Sequence, residues 1–348
     1  MKERINRLLS KLDEKSLDSI VVTDRNNIRY LSGFTGTTSY LVISHTKRYL
    51  ITDFRYTEQA EKQCSDFEII DIKKTDVKKL VSDMKHTGFE NETILFAEYK
   101  KFAEIFSSLE PVDNMLTLLR SVKDEDEIKN IKKAVQIADD AFSHVIKIAK
   151  SGMSEKDLAD EIEFYMKKHG ASSLSFDTIA ASGARGAMPH GFPTDKKIEK
   201  GELVVLDFGC FYNGYASDMT RTVAVGEVSK EQIDVYNTVK EVQKKATEEI
   251  GPGKKCADIH MIAQNIINEK YPDSFGHALG HGVGLEIHEM PTLSPLSTLT
   301  LAPGNVVSVE PGIYIQGFCG VRIEDLVLIT NKNCEILTKS TKDLIYIA

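Results

Sequence analysis

Cysteine is scarce here, and its spacing suits no structural role. The 348 residues hold five, Cys64, Cys210, Cys256, Cys319 and Cys334, with no CxxC pair. An odd, scattered set argues against a disulfide framework and against a zinc cluster, and fits thiols kept reduced in the cytosol. Surplus positive charge is missing too: 44 Lys and Arg face 52 Asp and Glu, a net charge of −8. Nucleic acid and anionic membranes attract basic surfaces, so neither is an expected partner. No apolar run approaches the roughly 20 residues that span a bilayer. The start, MKERINRLLSKLDEK, is a charged amphipathic helix without the apolar centre of a secretion signal. A cytoplasmic location is expected. What remains is ordinary globular composition, 41% hydrophobic and 28% charged, in a chain long enough for two domains.

Two common signatures are also absent. Leu31–Thr38 (LSGFTGTT) is turn-rich, but no lysine follows its second glycine, so it is not a phosphate loop. His288-Glu289 has no second histidine four residues after the first, so the HExxH zinc pattern is missing.

Residues 1–122 alternate between strand-like and helix-like segments. Asp18–Thr23, Ser39–Ser44, Arg48–Thr52, Glu68–Ile72 and Thr93–Ala97 read as strands, and Glu3–Leu12, Arg55–Gln63 and Val77–Lys85 as helices. This predicts a small α/β domain with a largely buried sheet. Asp53 reads as a cap at a strand-to-helix turn. The charged run Ser121–Lys129 marks the domain boundary, and residues 123–348 form the second domain. That domain opens with two helices, the second starting at a Ser154/Asp157 capping-box pair. Further helices are predicted over Lys230–Ile250 and Ala257–Glu269.

The second domain contains an echo. Gly201–Arg221 reads GELVVLDFGCFYNGYASDMTR, and Gly304–Phe318 reads GNVVSVEPGIYIQGF. In one frame Gly201 meets Gly304, Asp207 meets Glu310, Gly209 meets Gly312, and Gly214 meets Gly317. Each copy is an apolar strand ending in a carboxylate and a glycine turn. Each has a second acid just beyond, Asp218 in one copy and Glu324 in the other. A carboxylate at the end of a buried strand is costly unless its charge is compensated. Four gathered together repel one another and raise each other's pKa. Cations remove both problems, so Asp207, Asp218, Glu310 and Glu324 are candidate ligands of two divalent metals.

Phe275–Pro291 (FGHALGHGVGLEIHEMP) adds His277, His281 and His288 among four glycines. The glycines argue for extended strand and tight turns, where backbone and ligand approach closely. One or more of these histidines is the natural nitrogen ligand of an otherwise all-oxygen site. His190 sits in another glycine-rich loop, GARGAMPHG. Arg322 lies two residues before Glu324 on a predicted outer strand over Gly320–Ile329, so the two share a sheet face. It is placed either to neutralise a nearby acid or to bind a substrate carboxylate.

On these residues the chain resembles the pita-bread metallopeptidases, the family of prolidase, aminopeptidase P and methionine aminopeptidase. The resemblance spans nearly the whole chain and is most specific over residues 277–289 and in the spacing of the acids. It implies metal ligands at Asp207, Asp218, His281, Glu310 and Glu324, with Asp218 and Glu324 bridging two metals. It also implies proton-handling and substrate-orienting roles for His190, His277 and His288. Glu310 is the candidate proton acceptor, with His190, His288 and Arg322 facing substrate. Ala278 departs mildly from the family signature. The implied fold is an α/β N-terminal domain plus an α+β pita-bread catalytic domain with an internal pseudo-twofold repeat. Spacings of eleven between the aspartates and fourteen between the glutamates resemble the prolidase-like branch.

The expected activity is therefore metal-dependent hydrolysis of the bond before a proline at the second position of a peptide or dipeptide. The expected metals are Mn²⁺ first, then Co²⁺, Zn²⁺ or Fe²⁺, and the resemblance implies a homodimer. Two alternatives share the fold: a metal-free, creatinase-like hydrolase of a small amidino compound, and a catalytically silent binding module.

Overall fold

A computed structural model describes residues 1–348, which divide into two compact units, Met1–Arg120 and Ser121–Ala348. The first holds a six-stranded mixed sheet in the order Glu68–Asp71, Arg48–Thr52, Ser39–Ser44, Ser19–Val22, Thr87–Phe89, Leu109–Pro111. Val21, Val42, Ile51 and Ile70 pack from this sheet against Val77, Val81, Phe102 and Phe106.

Two local expectations fail here, and one helix lay outside them. Thr93–Ala97 is not a strand: helix Phe96–Ile105 begins inside it, with Leu95 and Phe96 exposed. The neighbouring sheet position is taken by Thr87–Phe89, whose residues are all buried. Helix Arg25–Ser32, capped by Asp24 and closed by Gly33 in the left-handed region, went unread. Asp53 caps no helix; its carboxylate binds Arg55, and the helix Thr57–Gln63 starts at Tyr56 without a side-chain cap.

The second unit is built twice over. Strands Leu203–Phe208 and Met219–Val225 pair antiparallel, with Asp207 opposite Thr220. Strands Val306–Val309 and Asp325–Ile329 pair the same way, with Val309 opposite Asp325. A helix pair covers each sheet. Helices Glu125–Ile148 and Glu155–Lys168 bury Ile137, Phe142 and Ile162 against Val204, Leu206 and Val223. Helices Lys230–Glu249 and Cys256–Lys270 bury Val239, Val242 and Ile259 against Val307, Val309 and Val327. The repeat extends to backbone dihedrals: φ is 89° at both Gly201 and Gly304, and 75° and 74° at Gly214 and Gly317. Glycine adopts these angles without steric cost.

The predicted outer strand over Gly320–Ile329 is in fact two strands in different sheets. Cys319–Arg322 pairs with Gly312–Ile315, and Asp325–Ile329 with Val306–Val309. Between them the chain bonds across to the other half: Arg322 N donates to Thr222 Oγ1, and Glu324 N to the Thr220 carbonyl. These cross-links draw the backbone out of the sheet and leave Glu324 at the break.

Candidate metal centre

Every carboxylate of the cluster sits at a strand end. Asp207 is the penultimate residue of the buried strand LVVLDF, and Asp218 immediately precedes Met219–Val225. Glu310 follows Val306–Val309, and Glu324 precedes Asp325–Ile329. His281 lies on Gly280–Gly282, which pairs with Val306–Val309 through Gly282 and Val307. Gly280 permits this contact, because a Cβ there would lie 2.0 Å from the Ser308 carbonyl oxygen.

Folding brings all nine sequence-derived candidates to one cavity of about 580 Å³: His190, Asp207, Asp218, His277, His281, His288, Glu310, Arg322 and Glu324. Asp218, His281 and Glu324 each offer a ligand atom within 4.8 Å of the other two. His281 Nε2 is 3.5 Å from Asp218 Oδ2 and 3.3 Å from Glu310 Oε1. Its Nδ1 lies 3.0 Å from the Gly282 carbonyl, which only accepts, so Nδ1 carries the hydrogen. Nε2 is left with its lone pair facing the acids, as a metal-binding imidazole requires.

The electrostatics are those of acids crowded in a buried site. Burial, then Glu324 and the other acids, pushes Asp218 far above the usual carboxylate range. Burial, then Glu310 and Asp207, does the same to Glu324. Glu310 rises to about 7, chiefly by burial. Burial lowers His281 and so keeps it neutral.

Arg322 is the cluster's buried cation, and every nitrogen of its guanidinium is engaged. Nε donates to Thr220 Oγ1 at 3.1 Å, one amino group reaches Tyr314 Oη at 2.7 Å and the Pro189 carbonyl at 3.2 Å, and the other binds Asp207. Thr220 in turn donates to Glu324 Oε2 at 2.8 Å. His277 is engaged on both sides as well. Nδ1 donates to the Ala278 carbonyl, and Nε2 accepts from Tyr314 Oη at 2.9 Å. His190 and His288, by contrast, line the cavity as exposed side chains. The His288 ring meets that of His281 edge-on, 4.4 Å between centroids.

Sequence reasoning missed Tyr314, Thr220 and Ser308, whose hydroxyl donates to Glu310 at 3.1 Å. Each lies within four residues of a candidate acid, but hydroxyl residues are common beside strand ends. The cavity wall of Phe176, Asp177, Ile179, Phe192 and Thr292 was likewise unread.

Residues 129–331 match the model of metallopeptidase family M24, and residues 4–122 match the creatinase/prolidase N-terminal domain. The chain belongs to metallopeptidase family M24. It is 43% identical to the uncharacterized peptidase YqhT of Bacillus subtilis (strain 168), covering 98% of this chain and 99% of that one. It is 39% identical to the Xaa-Pro dipeptidase of Pyrococcus furiosus, covering 99% and 100%. Among solved structures, Xaa-Pro dipeptidase from Bacillus anthracis superposes with a TM-score of 0.96 at 43% identity, covering 99% of both chains. X-Pro aminopeptidase from Thermotoga maritima MSB8 follows at 0.91 and 37%, covering 99% and 100%. The fold is thus a creatinase-type N-terminal domain followed by a pita-bread catalytic domain.

Membership of M24 implies divalent metal ions, and the residues present fit them. Asp207 Oδ1 and Glu324 Oε1 are buried without any hydrogen-bond partner. A partnerless polar oxygen in a protein interior is costly, and a cation is what satisfies it. The donors, four carboxylates and one imidazole, suit a hard to borderline divalent ion. No helix is long and apolar enough to cross a membrane.

Proposed function

We propose that this chain is an M24 exopeptidase that hydrolyses the bond between an N-terminal residue and a following proline. It would hold two divalent metal ions through Asp207, Asp218, His281, Glu310 and Glu324. The observation that carries the reading is the pair of buried, partnerless oxygens on Asp207 and Glu324 inside a cluster of four acids. Relatives named Xaa-Pro dipeptidase and X-Pro aminopeptidase match over nearly the full chain and support the substrate class.

Bound there, divalent ions supply Lewis acidity, lowering the pKa of water and polarising a carbonyl. The chain's own residues do the rest. Glu310 holds the proton taken from water at its carboxylate, steadied by the Ser308 hydroxyl. His190 and His288 donate hydrogen bonds toward the substrate carbonyl, where negative charge develops. His277, at the cavity wall with both nitrogens engaged, fixes Tyr314. Arg322 neutralises Asp207, the first of the two roles open from sequence. The acids attract the substrate's free amino group, which favours cleavage at the N-terminus. Proline offers no amide hydrogen, so a wall of shape and apolar surface, here Ile179, Phe176 and Phe192, suits it.

An oxygen-rich set with one imidazole favours Mn²⁺, with Co²⁺, Zn²⁺ and Fe²⁺ as competitors. Residues 1–122 and 123–348 serve as the N-terminal and catalytic domains of a cytoplasmic homodimer. A monomer by light scattering would remove the dimer from this reading.

The test is chelation followed by assay of an Xaa-Pro peptide, then addition of Mn²⁺ or Co²⁺. Activity should vanish and return; turnover that survives chelation unchanged overturns the proposal. His281→Ala and Glu324→Ala should each abolish turnover.

A further inference from the structure

Glu155 opens helix Glu155–Lys168, and its side chain has no solvent exposure. Ser154 and Asp157 already form the capping box of that helix, so its start is satisfied without Glu155. The Glu155 carboxylate points elsewhere. Oε1 accepts from Ser182 N at 2.8 Å and Ser182 Oγ at 2.9 Å. Oε2 accepts from Thr194 N at 3.0 Å and Thr194 Oγ1 at 2.7 Å. Arg185 Nε completes an ion pair at 3.0 Å and passes the tie along, donating from its amino group to the Phe192 carbonyl at 2.7 Å.

One carboxylate therefore holds both ends of the segment 182–194. The middle is pinned separately, where Pro189 O accepts from Arg322. His190 and Phe192, which line the cavity, lie between these anchors. Burial raises the Glu155 pKa, but the bonds from Thr194 and Ser182 outweigh it and leave the group lowered, hence ionised near neutrality. Charge-assisted bonds of this kind are the strong ones.

We infer that Glu155 is a positioning residue for the reaction: by closing the base of this loop it fixes where His190 meets the substrate. Glu155 touches no substrate itself and acts through His190. The inference rests on the role given to His190 above.

A double-mutant cycle tests it, using wild type, E155Q, H190A and E155Q/H190A with metal restored. The readouts are kcat/KM on an Xaa-Pro peptide, bound metal by elemental analysis, and thermal midpoint. A misplaced catalytic contact costs on the order of tenfold to a hundredfold, so E155Q should lose that much with bound metal unchanged. In the H190A background the same change should alter kcat/KM by less than about threefold, since coupled residues are non-additive. An equal loss in both backgrounds, or no loss from E155Q at all, overturns the inference and leaves Glu155 a purely structural group. Full activity in H190A removes the role of His190, and this inference with it, while leaving the metal assignment standing. If E155Q does not fold, S182A/T194V deletes two hydroxyl donors and keeps the carboxylate; it should show the same dependence on His190, and additive behaviour there overturns the inference equally.

Discussion

Lys123 and Glu289 form an ion pair of 3.0 Å in which neither side chain is more than 1% exposed. Glu289 directly follows His288, and its carboxylate also accepts from the Glu286 amide at 3.1 Å. The Lys123 amide donates to the Gly304 carbonyl, at the start of the second copy of the repeat. The pair thus ties the beginning of the catalytic unit to the strand beside the metal cluster.

Removing one partner of a buried pair strands the other charge, at a cost of about 3–5 kcal/mol. Lys123→Met should lower the stability of the protein by that order in urea unfolding. A change below about 1 kcal/mol would mean that the lysine is not what compensates Glu289.

Arg322 meets Asp207 and, through Thr220, Glu324, so it supports two of the proposed metal ligands at once. Groups that orient ligands typically cost 10–100-fold in metal affinity or activity when lost, so Arg322→Gln should weaken Mn²⁺ by about that factor. Titration by calorimetry checks this. Arg322→Lys should rescue little, because one ammonium cannot span Thr220, Tyr314 and Asp207 in a fork. Wild-type affinity in either variant contradicts the assignment.

His277 provides a pH signature. Burial, then the charge of Arg322, pushes its pKa down to about 4. The folded state therefore binds this proton less readily than the unfolded chain, whose histidine titrates near 6.5. The contribution is whole above about pH 6.5 and is lost as pH falls towards 4, by an amount on the order of 3 kcal/mol. Urea midpoints of chelated wild type and His277→Asn, measured from pH 7 to 4.5, isolate it by difference. The variant should lose less stability over that window; parallel curves would refute the reading.

Burial and neighbouring acids make Asp218 and Glu324 keep their protons more readily than free carboxylates when no cation is present. Metal binding must displace those protons. Adding Mn²⁺ to chelator-treated protein in weak buffer near pH 6 should release acid, and affinity should weaken as pH falls. Binding without proton release would place the metal elsewhere.

The sequence made the repeat legible because it is written in local chemistry: buried strands, a carboxylate at each end, glycines at matched places. Gly201 and Gly304 share a φ of 89°, as their shared place in the frame implies. The helices of the catalytic unit follow from 3.6-residue apolar spacing and capping boxes. Less was readable in the N-terminal unit. Leu95 and Phe96 look like strand residues but stay exposed at a helix start. Short elements there are settled by which strand fills the sheet, and propensity is silent on that.

From its own order of residues the chain determined which chemistry it carries: acids in pairs, histidines among glycines, no basic surface. Only the tertiary structure decided how that chemistry is deployed. It left one oxygen of Asp207 and one of Glu324 bare, engaged both nitrogens of His277, turned Arg322 onto Asp207, and sent Glu155 to the loop of His190. Most of these contacts join residues far apart along the chain. Their geometry is fixed by how two duplicated sheets pack, and no local pattern encodes it.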